Sequence, residues 1–97
     1  MKTREEILHI MRRSQPELVR EFGVTRLALF GSYDRGDAVE GSDVDVLVEV
    51  DPTIGLRFVD LAERIEELLG VRADVVSHRA IQPRNWAEIE KELLDVA

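Results

Sequence analysis

The run Asp43-Val-Asp-Val-Leu-Val-Glu-Val50 alternates acid and aliphatic residues, broken only at Leu47, and this constrains the fold more than any other stretch. Only an extended strand separates such a pattern cleanly, because successive side chains leave a strand on opposite faces. Val44, Val46 and Val48 then share a face that goes into a core, while Asp43, Asp45 and Leu47 share the other. A strand cannot stand alone, and "TRLALF" (25–30) is a second run of strand length, ending in Gly31. "VRADVVS" (71–77) reads as a third.

The remaining apolar residues follow helical spacing. Thr3 and Glu6 have capping-box spacing, and Ile7, Leu8, Ile10 and Met11 recur behind them. Ser14, Pro16 and Glu17 repeat the start signal, so the expectation is two short helices or one kinked one, ending at Gly23. Phe58, Leu61, Ala62, Ile65, Leu68 and Leu69 form a further stripe, stopped by Gly70. Pro83 opens a last helix expected to carry Trp86, Ile89, Leu93 and Leu94 inward. The acid-rich "DLAERIEELLG" reads as a solvated face with i,i+4 ion pairs. The fold class is therefore α/β (α+β), a small mixed β-sheet with helices packed on it.

With 97 residues, of which 44% are hydrophobic, the chain suits one domain over 1–97 and has no room for a second. No cysteine is present, which excludes disulfides and thiolate metal sites. No apolar run approaches the ~20 residues of a membrane span, nor does the start resemble a signal peptide, so the cytoplasm is the expected location. Twenty acidic against 13 basic residues give a formal charge of −7, which repels nucleic acid phosphates but suits a basic protein or a divalent cation.

The stretch between the first two strands carries chemistry. After a strand, Gly31 lets backbone N–H groups approach a ligand and Ser32 adds a hydroxyl, a corner suited to phosphate oxygens. Asp43 and Asp45, about 6.5 Å apart on one strand face, could hold one or two hard cations. Magnesium fits, since it prefers a few carboxylates together with substrate phosphates. Asp74, in an otherwise apolar strand, either ends at water or joins them; if its strand lies beside the first acid pair, three carboxylates converge. An EF-hand is disfavoured, because Val48 and Ile54 occupy the positions of its glycine and glutamate. His9 and His78 lack zinc spacing and read as surface residues, and Trp86 reads as core.

Gly31-Ser32, ten residues, then Asp43-x-Asp45 resembles the G-S-x10-D-x-D signature of the nucleotidyltransferase superfamily. "LFGSYDRGDAVEGSDVDVLVEV" is similar to its minimal nucleotidyltransferase (MNT) branch. The resemblance covers most of the chain and implies a minimal polymerase-beta-like fold using ATP and magnesium, with two ions expected. Many such proteins are antitoxins that pair with a HEPN-type ribonuclease toxin and transfer AMP to one of its tyrosines, which implies a hetero-oligomer with a toxin.

Carried over by position, the resemblance assigns Asp43, Asp45 and Asp74 to metal binding and catalysis. It assigns Gly31, Ser32, Arg35 and Ser42 to the nucleotide. Arg35 is as readily a local ion pair with Asp34 or Asp37. Asp34 departs from the family's small residue, and its carboxylate repels a triphosphate unless it points away or pairs with Arg35 or Arg26. Two other functions stay open: an antitoxin that neutralises its partner by binding alone, and nucleotidyl transfer to a small hydroxylated molecule.

Overall fold

Helix α1 (Arg4–Phe22) opens on the capping box read from the sequence. The Thr3 hydroxyl accepts from the Glu6 N–H, and the Glu6 carboxylate accepts from the Thr3 N–H, both at 3.1 Å. The helix runs unbroken through Pro16 instead of dividing there. An interior proline costs roughly 3 kcal/mol or more. Met11 and Leu18, on either side of it and in phase, are both fully buried, each worth about 1.5–3 kcal/mol, and breaking the helix would put them out of phase. The computed structural model describes all residues except Met1, Ser32, Asp34, Arg35, Asp37, Glu40 and Ala97.

Strand β1 (Val24–Phe30) follows directly, then β2 (Val44–Val50), helix α2 (Arg57–Leu69), β3 (Ala73–Ser77), helix α3 (Pro83–Glu90) and the two-residue strand β4 (Leu94–Asp95). The sheet order is β3-β2-β1-β4. β1 pairs antiparallel with β2 and with β4, while β2 and β3, joined through α2, run parallel. Among the described residues this makes three α-helices on a four-stranded mixed sheet, the class expected.

One face of the sheet, with Leu27, Leu29, Val44, Val46 and Val48, merges with Ile7, Met11 and Leu18 of α1 and Leu61, Ile65 and Leu69 of α2 into one buried cluster. The valine face is thus the core face. Arg64 ties the two helices together, bonding both carboxylate oxygens of Glu17 at 2.6 and 3.0 Å. It also meets Glu67 at i,i+3, so the expected i,i+4 pairing gives way to a pairing between helices. The Arg57 guanidinium lies 5.3 Å from the centroid of the Phe22 ring and donates to the Glu21 carbonyl.

The C-terminal segment departs from the expectation. α3 ends at Glu90, has no buried residue, and does not carry Trp86 into the core. Leu94 packs against the core from β4, not from a helix. Pairing with β1 outweighs the weak helical spacing: Ala28 faces Asp95, Leu29 faces Leu94, and the Val96 N–H donates to the Leu27 carbonyl at 2.9 Å. The Arg12 side chain of α1 closes the same end on the Val96 carbonyl at 2.8 Å. Among the described residues no helix is long and apolar enough to cross a membrane.

Candidate active site

The second face of the sheet holds the acids. In the parallel ladder Asp45 lies directly opposite Asp74, and Val44 opposite Ala73. Partners across a ladder point to the same face about 4.8 Å apart, and Asp43 shares that face because it stands two residues before Asp45. The alternation in "DVDVLVEV" therefore puts all three carboxylates on the face away from α1 and α2, at the end where β2 begins. Asp43 and Asp74 are exposed and Asp45 is half-buried.

Asp45 and Asp43 lean toward different neighbours. Asp45 faces Phe30 across β1, and its carboxylate lies over Gly31, where an added Cβ would run into Oδ2 and come within 3.1 Å of Cγ. Gly31 has φ +74°, so glycine is required there both by conformation and by the Asp45 side chain. Asp43 is drawn the other way, to Arg72 Nε at 3.6 Å. In this arrangement no three acidic or histidine side chains among the described residues are gathered around one point. Arg72 is 85% exposed, however, and such a pair is worth only about 0–1 kcal/mol, too little to hold Asp43 against a divalent cation. An oxygen-only donor set of three carboxylates on one face suits a hard ion such as magnesium.

Of the other candidates, Ser42 closes the turn before β2. Its hydroxyl accepts from the Val39 N–H at 3.0 Å, and its own N–H donates to the Val39 carbonyl at 2.9 Å. Ser32 and Arg35 lie outside the described residues, as does Asp34. Tyr33, between them, is buried in the core cluster.

The sequence reading passed over two features. Arg72 is in phase with Asp74, two residues away, so alternation alone could have placed a cation on the acid face. At the opposite end of the same face stands a polar cluster. Arg26 bonds Asp95 through Nε at 2.9 Å and Nη2 at 3.2 Å, and reaches Glu49 at 3.4 Å. Glu49 in turn meets His78 Nδ1 at 3.4 Å. The His78 ring stacks on Trp86 with centroids 3.9 Å apart. His78 is thus half-buried against Trp86 and not a free surface residue. Trp86 serves this stack in place of the core. His9 is exposed. Between the two polar ends, Ala28 and Leu47 are fully buried.

The hydrogen bonds from Arg26 hold the Asp95 carboxyl below its ordinary value of 3.8. A depressed acid contributes stability that is complete above its unfolded pKa and is lost as pH falls through the folded one. Arg26→Met is therefore expected to lower stability at neutral pH and to flatten its decline below about pH 4. Urea unfolding of both proteins across that range measures the difference.

The profile of the nucleotidyltransferase domain family matches residues 11–96. The chain belongs to that family. Protein adenylyltransferase MntA of Thermococcus cleftensis is 44% identical over 84 residues, covering 84% of each chain. A proposed protein adenylyltransferase of Methanocaldococcus jannaschii is 37% identical over 101 residues, covering 99% of this chain and all of the relative. Among solved structures, a proposed minimal nucleotidyltransferase superposes with a TM-score of 0.81 at 35% identity, over 96% of this chain and 95% of the other. The Shewanella oneidensis complex of a tri-AMPylated HEPN toxin with an MNT antitoxin shares the fold, with a TM-score of 0.65 at 18% identity over 93% and 71%. This nucleotidyltransferase thus has the minimal form of the fold, as its Gly31-Ser32 and Asp43-x-Asp45 motif implies.

Proposed function

We propose that this nucleotidyltransferase transfers AMP from ATP to a hydroxyl of a partner protein, a tyrosine of a HEPN-type toxin, and thereby acts as its antitoxin. The observation that carries this reading is the register of Asp45 against Asp74, with Asp43 on the same face. It accounts for an acid in an otherwise apolar strand, and it agrees with the adenylyltransferase named for the Thermococcus cleftensis relative.

In this reading Asp43, Asp45 and Asp74 would hold magnesium. The bound ions would neutralise charge on the phosphates and align the attacking and leaving oxygens. Backbone N–H groups at Gly31 and the side chains of Ser32, Arg35 and Ser42 orient the triphosphate tail. The acceptor oxygen attacks the α-phosphorus as the bond to the β-phosphate oxygen breaks, and pyrophosphate leaves. Asp74 takes the hydroxyl proton; its exposure leaves it open to an incoming acceptor. With Asp43 turned to a cation, Arg72 would be free to meet a phosphate oxygen.

The test is incubation with ATP labelled at the α-phosphate, magnesium and the product of the neighbouring gene, followed by mapping of the labelled residue. Label on a tyrosine of the partner is expected. Neutralisation of the partner's ribonuclease activity without label transfer would favour an antitoxin that works by binding alone.

A further inference from the structure

Strand β3 is an edge of the sheet, and the phase of its ladder determines which backbone groups it leaves open. The Val44 N–H donates to the Arg72 carbonyl at 3.0 Å. With that phase, and Val44 opposite Ala73, Asp74 and Val76 turn their N–H and C=O groups toward β2, while Ala73, Val75 and Ser77 turn theirs outward. The Ala73 N–H is taken by the Glu66 carboxylate at 3.3 Å. Among the described residues the N–H groups of Val75 and Ser77 have no partner. A row of unpaired groups on an edge is a template for another strand.

The surroundings of this edge specify the strand that fits. At its N-terminal end lies a groove of about 560 Å³ lined by Glu63, Glu66, Glu67, Gly70, Val71 and Arg72, three carboxylates against one cation. The chain as a whole carries −7. A strand added to β3 would place the side chain opposite Asp74 on the acid face, one strand spacing from that carboxylate and two from Asp45.

We propose that the acceptor protein docks by β-augmentation. A basic, extended segment pairs with the outer edge of β3, seats its cationic side chains in the Glu63–Glu67 groove, and carries the acceptor hydroxyl opposite Asp74. This rests on the transfer reading above and adds the docking mode: main-chain bonds supply affinity, and register selects the hydroxyl. It also assigns a use to an edge that natural sheets ordinarily protect.

The test uses the whole chain, with the product of the neighbouring gene as probe. On complex formation, hydrogen exchange at the Val75 and Ser77 amides is expected to slow by at least about tenfold. Val75→Pro removes an outward N–H that the ladder does not use, and an edge strand tolerates proline. It is expected to weaken partner binding by at least about threefold, the worth of one hydrogen bond, with ATP binding unchanged. The paired variant Glu63→Lys with Glu67→Lys is expected to act in the same direction.

Transfer of label by the wild-type chain with no protection at Val75 and Ser77 would overturn the docking mode and leave the transfer reading intact. Protection without label transfer would do the reverse. Protection that grows with the chain's own concentration, in the absence of partner, would assign the edge to a second copy and likewise overturn the proposal.

Discussion

Gly31→Ala is expected to lower AMP transfer about a hundredfold while leaving the protein folded. Two effects combine at this residue. At φ +74° an alanine costs about 1–2 kcal/mol, and its methyl group would occupy the space of the Asp45 carboxylate. The side chain of Asp45 would have to swing off the turn, and a displacement of about 1 Å at a reacting centre can cost on the order of 10² in rate. Gly23→Ala is the control. Gly23 has a similar φ of +69°, but the nearest atom to its added Cβ is Asp51 Cβ at an ordinary 3.5 Å. The two variants should lose comparable stability in thermal unfolding, and only Gly31→Ala should lose transfer. Equal losses of transfer would mean that the strain of the backbone matters and the seat of Asp45 does not.

Asp45→Asn has the second large expected effect, a loss of transfer of on the order of 10²–10³-fold or more, comparable to removing one group that stabilises developing charge. The substitution keeps size and shape, and Asp45 stands at the start of β2, so the fold should persist. Asp43→Asn should act in the same sense and additionally release Arg72, whose pair with Asp43 is too exposed to matter for stability. Steady-state labelling of the partner by each variant measures both. Retained transfer in Asp45→Asn would remove this carboxylate from the chemistry.

What was legible in the sequence was legible because it is local. The Thr3–Glu6 box needs only three residues' separation, the α2 stripe lies within one helix, and the faces of β2 follow from alternation. From these the acid face emerges as soon as β3 is set beside β2. What was not legible depends on pairing between distant segments. Leu94–Asp95 is too short to show a period, and Leu93 and Leu94 extend the spacing of α3; only Ala28 and Leu29 across the ladder make it a strand. The stack of His78 on Trp86, the two-sided grip of Arg26 on Asp95 and Glu49, and the pull of Arg72 on Asp43 likewise join residues whose proximity exists only in the folded sheet. At Pro16 the sequence leaves two short helices or one kinked helix open, and the structure has one helix. The proline's local cost is real, but burial of Met11 and Leu18 in one stripe outweighs it.

The most direct measurement is a calorimetric titration of ATP into the protein with magnesium and, separately, with a chelator in excess. Binding is expected with magnesium, and it should be lost both in the chelator and in the variant carrying Asp43→Asn with Asp45→Asn. Equal ATP affinity in all three titrations would contradict the assignment of these carboxylates to the metal–nucleotide site.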